Sequence, residues 1–407
     1  MKFKKTVIAT VLCTLPSFMS INSAFAADLQ KLVIAARGGS HVDVINAVKA
    51  KFEKEHNVEI EVMGLENADL KQKIALDSRA SDGAFDLVML DDPWIPEFAK
   101  AGVLCNLTQN GYTDDTDFVK ISLDIGKDPY AQGDTYALPF AGNVTLLFFN
   151  QDVLKNLGYE KAPDNWDDVY NIAKKAQSQG TLGYVVRGQQ GNPIVGDYMP
   201  LLWAFGGDVF DDNWNVTVNT EKGLASLNLY LELAKTGSNY EKNDIVASVS
   251  SGKAAMALGW PSWFISGSDT SAAYAVIPGK VNAQSESYSS GVIGNWMMGV
   301  TANTQNKDLA IELLKYLTSS EVQKAAADKG AVPTRISVFN DKELSAKYPF
   351  YATLLAGTQN SKVRPRTELW GEIENVYGIE LSNALSGTKS AKQALIDAQK
   401  AIEKVIK

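Results

Sequence analysis

The chain has 407 residues, 45% hydrophobic and 21% charged, with 39 basic against 47 acidic side chains and a formal net charge of −8. The acidic excess argues against nucleic acid and anionic membranes as partners, while the length suffices for two domains. Two histidines and two cysteines leave little material for metal sites or disulfides.

The first 26 residues read as a secretory signal peptide. Lys2, Lys4 and Lys5 form a basic start, residues 7–15 an apolar stretch, and Ala24-Phe25-Ala26 a cleavage site. The stretch is too short, and broken by Pro16, to span a bilayer, and no later segment approaches about 18 consecutive apolar residues. Cys13 lies within the apolar stretch, not at a lipoprotein acylation position. A mature chain starting at Ala27 is therefore expected in the periplasm, soluble and unanchored. It keeps 381 residues (407 − 26), 36 basic groups (39 − 3) against 47 acidic, a net charge of −11, and Cys105 as its one thiol.

Strand-like and helical runs alternate from the mature start. Residues 31–36 (KLVIAA) read as a buried strand, followed by a turn and a helix that Ser40 and Asp43 would open as an S-x-x-D capping pair, with Ile45, Val48 and Phe52 on one face. Residues 58–63 predict the next strand and 69–79 the next helix. The third strand, DLVML, ends in Asp91-Asp92-Pro93-Trp94, before a short helix that stops at Gly102. Such alternation implies a mainly parallel sheet covered by helices, with ligands beyond the carboxyl ends of its strands.

A second unit begins near Leu138-Pro139. Residues 144–150 read as a strand, 165–177 as an amphipathic helix, and LGYVVRG as another strand. The run EKGLASLNLYLELAKTG is helical, and GKAAMALG and AAYAVIPG read as buried strands. Two strong helices close the chain, at 308–317 and 390–407, the last with Leu395, Ala398, Ile402 and Val405 on one face.

Few catalytic patterns survive inspection. His41 and His56 have no partner at ligand spacing, and calcium-loop, phosphate-loop and G-x-S-x-G motifs are all missing. No metal or cofactor is expected. The informative pattern is aromatic and polar: Trp94, Trp260, Trp263, Trp296 and Trp370 flank strand ends beside glycine, proline or polar residues. A flat indole face suits the C–H face of a sugar ring, whose hydroxyls carboxylates and amides can hold. Trp166, at a helix start, is assigned to the core. Asp91 and Asp92 would point to opposite sides of an extended segment, a poor arrangement for a glycosidase pair spaced about 5 to 9.5 Å apart. One of them pairing with Glu368 or Asp208 would still permit a secreted glycoside hydrolase. Arg37, Arg335, Arg364 and Arg366 would serve either surface ion pairs or bidentate binding of hydroxyls or an anion.

In order and spacing, DLVMLDDPWIPEFAKAGVLCNLT, YALPFAGNVTLLFFNQDVLKNLGY, PDNWDDVYNIAKKA, GKAAMALGWPSWF, LAIELLKYLTSSEVQKAAADKGAVPTR and RPRTELW resemble the sugar-binding extracellular solute-binding proteins of bacterial ABC transporters, the family of maltose-binding proteins. The resemblance spans nearly the whole mature chain. It implies a two-lobe α/β fold of the type II periplasmic-binding-protein kind, each lobe a mainly parallel sheet flanked by helices. One lobe would take 27–138 and 279–330, the other 139–278 and 331–407. It also implies a monomeric receptor that closes on a sugar by a hinge and delivers it to inner-membrane permease subunits.

Carried over by position, the implied ligand contacts are Arg37, Gly39, Ser40 and His41 after the first strand, Asn67 after the second, and Asp91, Asp92 and Trp94 after the third. Asn143 follows the first crossover, and Gly207 and Asp208 form a turn in the second lobe. Trp260 and Trp263 flank a proline, Asn295 and Trp296 follow the return crossover, and Arg335, Arg364, Arg366 and Trp370 lie in the C-terminal segments. DDPW and GNW depart from the maltose-binding proteins themselves. Maltose specificity is therefore not implied, and the arginines leave an acidic or sulfonated sugar open.

Overall fold

A computed structural model describes residues 29–263, 271–327 and 331–407; the expected signal peptide lies outside them. The two larger sheets are built from β1 (Gln30–Arg37), β2 (Val58–Leu65), β3 (Leu87–Asp91), β4 (Leu138–Ala141), β5 (Leu146–Asn150), β6 (Leu182–Val185), β7 (Ala254–Gly259), β8 (Ala272–Ala275) and β9 (Trp296–Val300). The helices that matter below are α1 (Ser40–His56), α2 (Asn67–Asp77), α3 (Trp166–Ser178), α4 (Asn192–Ala204), α5 (Glu221–Ala234), α6 (Lys242–Ser250), α7 (Lys307–Leu317), α8 (Trp370–Leu385) and α9 (Ala391–Val405).

The first sheet has the order β2-β1-β3-β9-β4 and the second β8-β5-β7-β6. The expected parallel direction holds for β1 with β2 and β3, and for β6 with β7. It stops where strands arrive by direct crossing: β9 runs antiparallel to β3 and β4, and β5 antiparallel to β7 and β8. β5 and β9 are each entered directly from a crossing segment, with no covering helix before them to impose a parallel return.

Each sheet carries its own core. Leu32, Ile34, Leu87 to Leu90, Phe52, Ile60 and Met297 fill the first. Covered on both faces, β3 needs the uninterrupted apolar run that its sequence shows. The second core is aromatic: Trp166, Trp203, Trp370, Tyr184, Tyr198, Tyr230 and Tyr377 pack around α4, α8 and α9. In α3, Trp166, Val169, Ile172, Ala173 and Ala176 repeat at helical spacing and are buried, and Asn165 caps the helix by accepting from the Asp168 amide at 2.9 Å. Trp166 is a core residue whose indole N–H donates to the Pro278 carbonyl at 2.9 Å.

The expected capping pair of α1 does not form. Ser40 is already the first helical residue, and Gly39, at φ 80°, takes the cap position without a side-chain hydrogen bond. A positive φ of that size favours glycine.

Three crossing segments lie side by side between the sheets. One runs from β4 to β5 through Asn143, and another from Gly291–Val292 to β9 through Gly294. The third, Ser361–Lys362, pairs parallel with Gly291–Val292. Gly294 N donates to Asn143 O at 2.9 Å and Thr145 N to Val292 O at 2.9 Å, which ties the first two together.

Candidate functional site

The carboxyl ends of β1, β2 and β3 face those of β6 and β7 across a cleft of about 490 Å³. The ends of strands present loops and helix N-termini rather than side-chain ladders, so ligand-facing groups collect there. From the first sheet come Arg37, Gly39, Ser40, His41, Asn67, Asp91 and Trp296; from the second come Arg187, Asn192, Lys242, Trp260, Ser262 and Trp263. Asn143, Gly294 and Arg364 reach it from the crossing segments and the C-terminal stretch.

Aromatic rings wall this space. Trp296 carries the Arg37 guanidinium 5.2 Å from its ring centre and His41 at 5.5 Å, with Trp94 edge-on behind it at 6.4 Å. Trp263 carries the Arg187 guanidinium at 5.4 Å. Trp260 rests directly on Gly294, where a Cβ would lie 2.5 Å from its Cζ3. Side-chain oxygens of Asn67 and Asn143 are buried without a hydrogen-bond partner, as is the Arg364 Nε. Such orphaned groups are costly unless a ligand or water completes them. Burial, and then the charge of Arg37, lower the His41 pKa to about 4, so this ring is neutral at pH 7.

Arg364 and Arg366 are turned inward. Arg364 Nη2 donates to Asp92 Oδ2 at 2.9 Å and to Asp91 Oδ1 at 3.3 Å. Arg366 Nη1 donates to the Asp92 carbonyl at 2.9 Å and to Asp92 Oδ1 at 3.3 Å, and its Nη2 donates to Ile125 O at 2.7 Å. Asp92 is fully buried. Burial pushes its carboxyl up to about 6 against the pull of Arg364, so it stays ionised at neutral pH.

Eight implied contacts lie away from the cleft lining. Asp92 and Arg366 are committed to each other, and Trp94 stands behind Trp296. Gly207 packs on Leu202, and Asp208 pairs with Lys362 and accepts from Trp203 Nε1. Asn295 is buried and accepts from the Asn143 amide at 2.9 Å. Arg335 is buried against Asp115 at 2.6 Å and Asp117 at 3.2 Å, with Phe118 beneath it, and Trp370 lies in the second core. Beside Gly38 of the 37–41 turn, the cleft holds Arg187, Asn192, Lys242, Ser262 and Gly294, which the sequence pattern did not single out. Arg187 had a signal: like Arg37 it lies at the carboxyl end of a buried apolar run. Lys242 had another, a cation in the first turn of a helix, where the dipole favours acids. Among the described residues no cluster of three or more His, Cys, Asp or Glu could hold a metal ion, and no helix is long and apolar enough to cross a membrane.

Residues 38–324 match the family described as "Bacterial extracellular solute-binding protein". The chain belongs to that family. Its members are binding proteins of ABC transporters rather than enzymes. A probable amino-acid ABC transporter periplasmic-binding protein of Sinorhizobium fredii is 24% identical across 98% of this chain and 97% of its own. Maltose-bound MalE3 of T. maritima shares the two-lobe fold with a TM-score of 0.81 at 24% identity, over 92% of this chain and 99% of its own. A ribitol complex of an Agrobacterium radiobacter solute-binding protein gives 0.80 at 23% identity, over 92% and 98%.

Proposed function

We propose that this solute-binding protein is a periplasmic receptor for a sugar, which it encloses between its lobes by hinge closure and presents to the permease of an ABC importer. One observation carries the reading: a cleft of ligand size between two separately cored sheets, walled by three tryptophans and fitted with unpartnered amide acceptors. Indoles cover the apolar face of a ring while Asn67 and Asn143 accept from its hydroxyls. The lobes are joined along the crossing segments, so a solute touching both sides favours the closed form by its additional contacts there. Maltose and ribitol in the two structural neighbours agree with a polyhydroxylated solute.

A glycoside hydrolase finds little support. Asp91 is the one carboxylate among the described residues lining the cleft; Asp92 is buried, Glu368 pairs with Lys100 and Asp208 with Lys362. The Sinorhizobium relative's name favours a second reading, an amino-acid receptor, so both classes belong in one screen. Thermal denaturation of the mature chain with mono- and disaccharides, polyols, uronic acids, sulfosugars and amino acids should show a carbohydrate raising the melting temperature, by about 2.7 kcal/mol of stabilisation at a hundredfold excess over Kd. Silence from every carbohydrate, or a response to amino acids alone, would refute the sugar reading.

A further inference from the structure

Arg37, Arg187 and Lys242 converge on the cleft from both sides, and none of them has a carboxylate within 4.0 Å or a side-chain hydrogen bond among the described residues. Asp197, Glu241 and Glu374 act on Arg187 only through space, and Asp197 is already engaged by the Arg187 amide and the Tyr230 hydroxyl. The remaining cleft cation, Arg364, is matched by Asp91 and Asp92. Lining charges are therefore four cations against one anion, Asp91, which is paired with Arg364 and leaves Arg37, Arg187 and Lys242 open.

Backbone electrostatics add to the imbalance. α1, α4 and α6 begin at the cleft through Gly39 and Ser40, Asn192, and Lys242, and none of the three has a side-chain N-cap. The positive ends of three helix dipoles thus face the same space as the cations. Lys242, placed in a first turn, works against its own helix. Burial and the charges of Arg37 and Arg187 depress its pKa, a sign that the three cations share one field. A fold keeps uncompensated cations together where a ligand supplies the counter-charge.

We propose that the solute is anionic: a sugar bearing one compact oxyanion, carboxylate, sulfonate or phosphate, held by Arg187 and Lys242 with Arg37 on the opposite wall. This rests on the receptor reading above and narrows its substrate class. The oxyanion takes charge-assisted hydrogen bonds from Arg187 and Lys242, and the ring lies among the tryptophans with its hydroxyls on Asn67, Asn143 and Asp91. The acid test is a matched panel in titration calorimetry: glucose, galactose and maltose beside glucuronate, galacturonate, glucose 6-phosphate and 6-sulfoquinovose. The expected result is an anionic member bound at least about 100-fold more tightly than its neutral parent. Arg187→Gln and Lys242→Gln should each weaken it about 10-fold or more while unfolding normally, and 0.5 M NaCl should weaken it as well. A neutral sugar bound as tightly as its anionic partner, or Gln variants that keep full affinity, would overturn this inference and leave the receptor standing. Binding by no member of the panel or of the wider carbohydrate screen would overturn both.

Discussion

Arg364 and Arg366 enter the fold together with their counter-charges, whereas Arg37, Arg187 and Lys242 line the cleft without any. Arg37, Arg187 and Arg364 all sit at or just beyond strand ends, in settings a sequence cannot tell apart. The first group is structural: a buried carboxylate, Asp92, and a carbonyl from the β3 loop tie down a C-terminal segment. The second group touches aromatic faces and open space. What separates them is satisfaction. A paired buried cation holds chain segments together, while an unpaired one at a cleft wall is available to a ligand.

Removing the central acid should break this comparison most severely. Asp92→Ala leaves two buried guanidinium groups without their main partner and should cost about 3–5 kcal/mol of unfolding free energy, read from urea denaturation; a loss below about 1 kcal/mol would show that the cluster is not structural. Packing beneath the cleft wall comes next. In Gly294→Ala the new Cβ would lie 2.5 Å from Trp260, so the indole must tilt, at about 1–3 kcal/mol in stability. Ligand affinity should fall with it; unchanged affinity would remove Trp260 from the ligand wall.

His41 sharpens the border between the two groups, because it senses Arg37. Its folded pKa of about 4 lies below the unfolded value near 6.5, so the folded state binds fewer protons between those values. Stability should therefore decline as pH falls below 6.5 and reach its full loss below 4. His41→Gln should flatten that part of the melting-temperature profile; an unaltered profile would mean that the ring titrates freely. The smallest effect belongs to Lys242→Gln. With no partner to lose and repulsion to shed, unfolding free energy should stay the same or rise by no more than about 1 kcal/mol. A fall of about 2 kcal/mol would mean the lysine is held structurally after all.

Much of the fold was legible because apolar periodicity records burial directly. The β3 run and the α3 stripe were open to reading before any coordinates, whereas the one capping pair expected, at α1, did not form. Strand direction was less so, since β9 and β5 arrive by crossings that no local pattern announces. In the site, the turn 37–41, Asn67, Asp91, Asn143, Trp260, Trp263, Trp296 and Arg364 come together in the cleft. Trp370 and Trp94 share the same local signature as the cleft tryptophans, yet one fills a core and the other backs Trp296.

The DDPW loop shows where the division falls. By itself the sequence determined that a buried strand ends there and that polar groups follow, because burial and chain reversal are written in residue type and spacing. Only the tertiary structure decided that Asp92 faces inward to Arg364 and Arg366 while Asp91 reaches the cleft, and that Arg187 and Lys242 are the cations left open. Charge pairing depends on segments separated by hundreds of residues, Asp92 with Arg364 by 272, and no local pattern encodes which opposite charge will be within reach.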